Sequence, residues 1–217
     1  MRFVVTGFSR FGGVKDNPTE WLVQHLEEYL TKRQSPAQVH RCSVLKVSAK
    51  TAQEWVREQL RQCCDEGIAG SKAVMIHLGL NVSTTHFDLE RVAYNCADFR
   101  IPDEDGWEPK AQPIENEAGM TTYSCRLTTL PVEAVTDSLR QRGHSVRTSG
   151  DAGRFVCNWI YYNSLILQDT AEKPWQSLFV HVPDFQYIPA DKQLEFLGDL
   201  LEELQAAEEA RLPPESS

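Results

Sequence analysis

The chain lacks most of the features that would mark a specialised class. No run of about 18 apolar residues occurs in its sequence, so no helix able to cross a bilayer is expected and no membrane partner is assigned. No Ser/Gly-rich or Pro-rich stretch reads as a linker, and no period of solenoid length repeats. A single domain over residues 1–217 is therefore expected, long enough to enclose one core. A basic surplus is also missing. The 22 Lys and Arg stand against 31 Asp and Glu, a formal charge of −9, which argues against nucleic acid because phosphate binding needs a basic face. Part of the acid surplus falls in residues 191–209, which read as a solvated helix face.

Metal and phosphate motifs are absent as well. The six cysteines form no C-x-x-C pair, Cys63 and Cys64 are adjacent, and no H-E-x-x-H occurs, so neither metal nor other cofactor is expected. Gly7, Gly12 and Gly13 match neither G-x-G-x-x-G nor a P-loop. A turn needing positive φ is the reading favoured over a nucleotide site. The apolar start, Phe3-Val4-Val5, is too short for a signal peptide and reads as a strand. The expected compartment is the cytoplasm, where the cysteines remain thiols.

What is present is an alternation of strands and helices. Apolar strands are expected at Phe3–Thr6, Val39–Val47, Ala73–Leu78 and Ser177–Val182, with another opening at Val146. Phe87–Tyr94 reads as a shorter extended piece. Asn17-Pro18-Thr19-Glu20 is a strong helix start, with Asn as cap and Pro at the first helical position. Further helices are expected over Thr51–Cys64 (with Trp55, Val56 and Leu60 on one side), Pro131–Arg142, Cys157–Leu167 and Ala190–Ala207. Residues 96–125 read as a long polar excursion with room for a hairpin, of the kind that serves as a lid. The fold class is α/β: a three-layer α/β/α sandwich with a mostly parallel central sheet. Sites in such folds lie at the C-terminal ends of strands, and Phe8, Cys157 and His181 all fall at or just past such ends.

Two segments carry candidate chemistry. Asp151-Ala152-Gly153-Arg154-Phe155-Val156-Cys157-Asn158 leads a cysteine into an aromatic helix, where the helix dipole favours a thiolate. Phe179-Val180-His181-Val182-Pro183 delivers a histidine at a strand end, able to take the thiol proton. By residue type alone, Cys157 reads more often as apolar filler than as a nucleophile, His181 usually as a satisfied strand-end histidine, and Glu90 usually as a surface acid or a partner of Arg91.

In order along the chain, four stretches resemble the pyroglutamyl-peptidase I family. They are Val5-Thr6-Gly7-Phe8-x-x-Phe11-Gly12-Gly13 with Asn17-Pro18; Glu90-Arg91-Val92-Ala93-x-Asn95; Ala152-Gly153-x-Phe155-Val156-Cys157-Asn158; and Val180-His181-Val182-Pro183. Arg100-Ile101-Pro102-Asp103 resembles the family's middle loop. The resemblance implies a cysteine exopeptidase that removes an N-terminal pyroglutamyl residue from peptides, with Glu90, Cys157 and His181 as the triad. It also implies that Phe8 and Phe11 flank the lactam, that Asn17 shapes their loop, and that backbone groups at Phe155 and Val156 bond the ring. Two departures stand out: Arg10 replaces the usual Pro between the phenylalanines, and Leu80-Asn81-Val82 replaces small or glutamine residues after Gly79. The alternative is a relative with little or no hydrolytic activity that binds pyroglutamyl peptides or a protein partner. Subunit arrangement is not readable from the sequence.

Overall fold

Alternation along the strands builds two apolar layers. In Trp175–Val182, residues Leu178, Val180 and Val182 face one side and Phe179 the other, so a single strand feeds two cores. The protein is described here from a computed structural model, which covers residues 1–14, 16–65, 73–170 and 175–210. The side chains of Leu60, Cys63 and Cys64 lie outside the described set.

The chain runs β1 (Arg2–Phe8), α1 (Pro18–Lys32), β2 (Val39–Leu45), α2 (Ala49–Asp65), β3 (Ala73–Leu80), β4 (Phe87–Glu90) and β5 (Val92–Tyr94). It continues with β6 (Cys125–Leu127), α3 (Val132–Gln141), β7 (Val146–Ser149), α4 (Val156–Thr170), β8 (Trp175–Val182) and α5 (Ala190–Glu209). Six strands form one sheet in the order β2-β1-β3-β8-β4-β7. Helices α1, α3 and α5 pack on one face and α2 and α4 on the other. The expected three-layer α/β/α sandwich is therefore the observed fold.

Within the six-stranded sheet four of the five pairings are parallel; the exception, β8 with β4, places the acid at the site. Phe87–Tyr94 is not one extended piece. Its first half joins the main sheet, while β5 pairs with β6 in a separate two-stranded ladder. The break falls at Arg91, whose N–H donates to Ser149 and whose carbonyl accepts from Thr128.

The polar excursion is fastened at several points. Asn95 accepts from the N–H groups of Ile114 and Glu115 and donates to the carbonyls of Glu115 and Thr121. Asp103 accepts from the N–H of Ala49 at the start of α2, at 2.9 Å, and from Asp105 and Trp107 within the loop. A free-swinging lid is not what this segment forms, because its turns are anchored by buried carboxylate and carboxamide groups.

Candidate active site

The entry into α1 fixes the first wall of the site. Asn17 caps the helix by accepting from the Thr19 N–H at 3.1 Å and donates to the Ser9 carbonyl, so one side chain holds both ends of the turn. Thr19 accepts from the Phe8 N–H at 2.9 Å. A Cβ on Gly7 would come within 2.3 Å of the Thr19 carbonyl oxygen, so only glycine lets the helix start this close to β1. Phe8 is buried at the strand end and Phe11 half-buried above it. Arg10 is exposed and is not among the residues lining the pocket that these phenylalanines form.

The nucleophile candidate comes from the other side. Cys157 is the second residue of α4, half-buried, near the helix's free N–H groups. Its neighbour Asn158 is fully buried, accepts from the Tyr94 N–H at 2.8 Å and donates to the carbonyls of Tyr94 and Cys96. That carboxamide ties the helix start to β5. Gly79, at the end of β3, gives the sulfur room. A Cβ there would lie 2.5 Å from the Phe179 ring and 3.1 Å from Cys157 Sγ.

His181 sits one residue before the end of β8, 7 % exposed, and its Nδ1 donates to Glu90 Oε1 at 2.8 Å. Glu90 is 1 % exposed. In the antiparallel register Asp88 faces His181 and Glu90 faces Phe179, so the carboxylate reaches the imidazole diagonally. With Nδ1 committed to Glu90, the other ring nitrogen is left for the sulfur of Cys157. Burial disfavours the His181 cation, but hydrogen bonds with Cys157 and Glu90, and attraction to both, outweigh it and push the pKa up to about 10. Tyr161 donates its hydroxyl to the Glu90 backbone carbonyl at 2.7 Å, and burial beside Glu90 raises its pKa.

Cys157 and His181 both line a cleft of about 680 Å³. A small side pocket opens beside the sulfur, lined by Phe8, Phe11, Asn17, Phe155 and Val156. All five sequence-predicted binding residues thus converge there. The free space in that pocket is about 20 Å³. Phe155 is braced by Phe99 at 4.7 Å between ring centres. Sequence reasoning missed Gly79, Asn158 and Tyr161 as supports of the site. The only signal for Asn158 was its adjacency to the cysteine.

A thiol at a helix start, an imidazole and a buried carboxylate on an α/β sandwich define the architecture of a cysteine hydrolase. The sequence model of the pyroglutamyl peptidase family matches residues 1–198, and the chain belongs to that family. Pyrrolidone-carboxylate peptidase of Thermococcus litoralis is 33% identical over 182 residues, 84% of this chain and 76% of that one. That of Levilactobacillus brevis is 33% identical over 183 residues, covering 84% and 82%. The solved Thermococcus litoralis enzyme superposes with a TM-score of 0.81 at 27% identity, covering 100% of this chain and 98% of that one. Bacillus amyloliquefaciens pyroglutamyl peptidase I shares the fold at a TM-score of 0.79 and 22% identity, covering 94% and 97%.

Proposed function

We propose that the protein hydrolyses the bond after an N-terminal pyroglutamyl residue, with Cys157 as nucleophile, His181 as proton carrier and Glu90 as the group that orients and charges His181. The observation that carries this is the Glu90–His181 bond at 2.8 Å beside a thiol at the start of α4. Pyroglutamate has no free α-amine, so a pocket of aromatic walls and backbone groups suits its flat, uncharged lactam. The Cys157 sulfur attacks the pyroglutamyl carbonyl carbon while His181 holds the thiol proton as its imidazolium. Unpaired N–H groups at the helix start face the developing oxyanion. His181 then gives its proton to the leaving amine, and water releases pyroglutamate from the thioester, with His181 as base. Glu90 holds Nδ1 as the donor throughout.

N-terminally pyroglutamylated peptides are the substrate class. The carboxamide of Asn17 holds the Phe8–Phe11 turn, and backbone groups at Phe155 and Val156 bond the lactam. The net charge of −9 supports a role without nucleic acid. Among the described residues no helix is long and apolar enough to cross a membrane. Cys42, Cys96, Cys125 and Cys157 are all free, which suits a reducing cytoplasmic setting. The test is turnover of a pyroglutamyl arylamide beside the prolyl and glutamyl arylamides. Selective release of pyroglutamate supports the reading, and equal or absent turnover of all three overturns it.

A further inference from the structure

The cleft is far larger than the lactam pocket, and Leu80, Asn81 and Val82, which depart from the family pattern, are among the residues that line it. The turn after β3 places Asn81 and Val82 on the wall of the cleft, while Leu80, like Cys157, lines both the cleft and the lactam pocket. This turn is rigid. The Asn81 N–H donates to the Val182 carbonyl at 3.0 Å, its side chain accepts from the Ser83 N–H at 3.0 Å, and its carbonyl accepts from Thr84. Asn81 therefore locks the turn by its own side chain and presents Val82, which is 57% exposed, at the rim.

Charge gives this region no clear selectivity. Asp98 and Asp151 line the cleft with Arg100 and Arg154, two of each sign. Arg154 is already held by Asp151 at 2.5 Å and lies over the Tyr94 ring at 4.0 Å. Leu80 and Val82 add an apolar strip to this lining, and Leu80 shares the small pocket with the reacting sulfur. A peptide with its pyroglutamyl ring in the small pocket and its carbonyl at Cys157 must send the next residue into this part of the cleft.

We propose that Leu80 and Val82 form a leaving-group subsite that favours an apolar residue directly after the pyroglutamyl group. The proposal rests on the hydrolase reading above and names its preferred substrates. The apolar wall removes part of an aliphatic side chain from water, a gain that a hydrated carboxylate does not share, so the two should differ in transition-state binding. The experiment measures pyroglutamate release from pyroglutamyl-leucine amide and pyroglutamyl-aspartate amide, each divided by the rate on pyroglutamamide, which has no leaving residue. The protein should favour leucine over aspartate by about five- to tenfold in kcat/KM, and Val82→Asp should bring that ratio to one or below. Val82→Ser, which adds no charge, should fall between. A ratio of one in the unmodified protein, or a ratio that Val82→Asp leaves intact, overturns the subsite while keeping the hydrolase. Failure to release pyroglutamate from any of the three overturns both.

Discussion

His77 and His181 occupy neighbouring parallel strands on the same face of the sheet, two register positions apart, and both are buried. Their chemistry is opposite. Among the described residues His77 has one bond, between Nδ1 and the Thr6 hydroxyl at 2.8 Å, its Nε2 has no partner there, and burial pushes its pKa down to about 3. At His181 burial pulls the same way, yet Cys157 and Glu90 reverse the sign. A buried histidine is thus neutral by default, and only an acidic partner makes it a proton carrier. The partner arrives because β4 runs antiparallel to β8 and stops at Glu90.

Several substitutions break or sharpen this contrast. The largest effect is expected from Cys157→Ala, which removes the nucleophile and one partner of His181. Pyroglutamate release should fall by about 10⁴-fold or more, while alanine at Cys42, Cys96 or Cys125 leaves it within a few-fold. Full turnover by Cys157→Ala would end the mechanism.

Glu90→Gln makes His181 more like His77. Activity should drop by about 10²- to 10³-fold, less than in serine triads because a thiol ionises more readily than a hydroxyl. Losing the carboxylate lowers the His181 pKa, so the imidazolium needed by the leaving amine is lost earlier as pH rises. The alkaline limb of kcat/KM should therefore move to lower pH. An unmoved limb at full rate would reduce Glu90 to a structural acid.

Gly79→Ala tests the spacing between the two histidine positions. The new methyl meets the Phe179 ring and the sulfur, so stability should fall by about 1–3 kcal/mol, as overpacked cores do. Because Cys157 is displaced, kcat should fall more than the melting temperature alone would imply. Retained kcat would show that the sulfur tolerates the shift.

A further contrast lies in the pH dependence of stability. The depressed pKa of His77 means its stability contribution is full above the ordinary value of 6.5 and is lost as pH falls towards about 3. His181 is the mirror case: its contribution is full below 6.5 and lost as pH rises through about 10. His77→Asn keeps an acceptor or donor for Thr6 and does not titrate. Denaturant titrations between pH 4 and 6 should then show a slope shallower by up to about 1.4 kcal/mol per pH unit. An unchanged slope would mean His77 protonates freely in the native state.

The residue types at the site were legible because their signals are local. Asn17 caps α1 as its Asn-Pro sequence implies, Cys157 opens a helix, and His181 ends a strand. Supports that act across the fold were not legible. Asn158 reaches β5, Asp103 caps α2 from a distant loop, and Gly79 matters only because Phe179 and Cys157 approach it. The long segment before β6 looked free in the sequence for the same reason, since its anchors at Asn95 and Asp103 are made only when the chain has folded back.

The sequence by itself determined the strand and helix alternation, the two apolar faces of each buried strand, and which thiol and imidazole were candidates. Those follow from periodicity and from residue chemistry, which are properties of neighbours along the chain. Only the tertiary structure decided that β4 runs against β8, that Glu90 meets His181 while His77 meets only Thr6, and that Leu80 and Val82 border the cleft. Strand direction and sheet order are set by long-range packing, so two similar histidines on adjacent strands acquire opposite roles from residues distant in sequence.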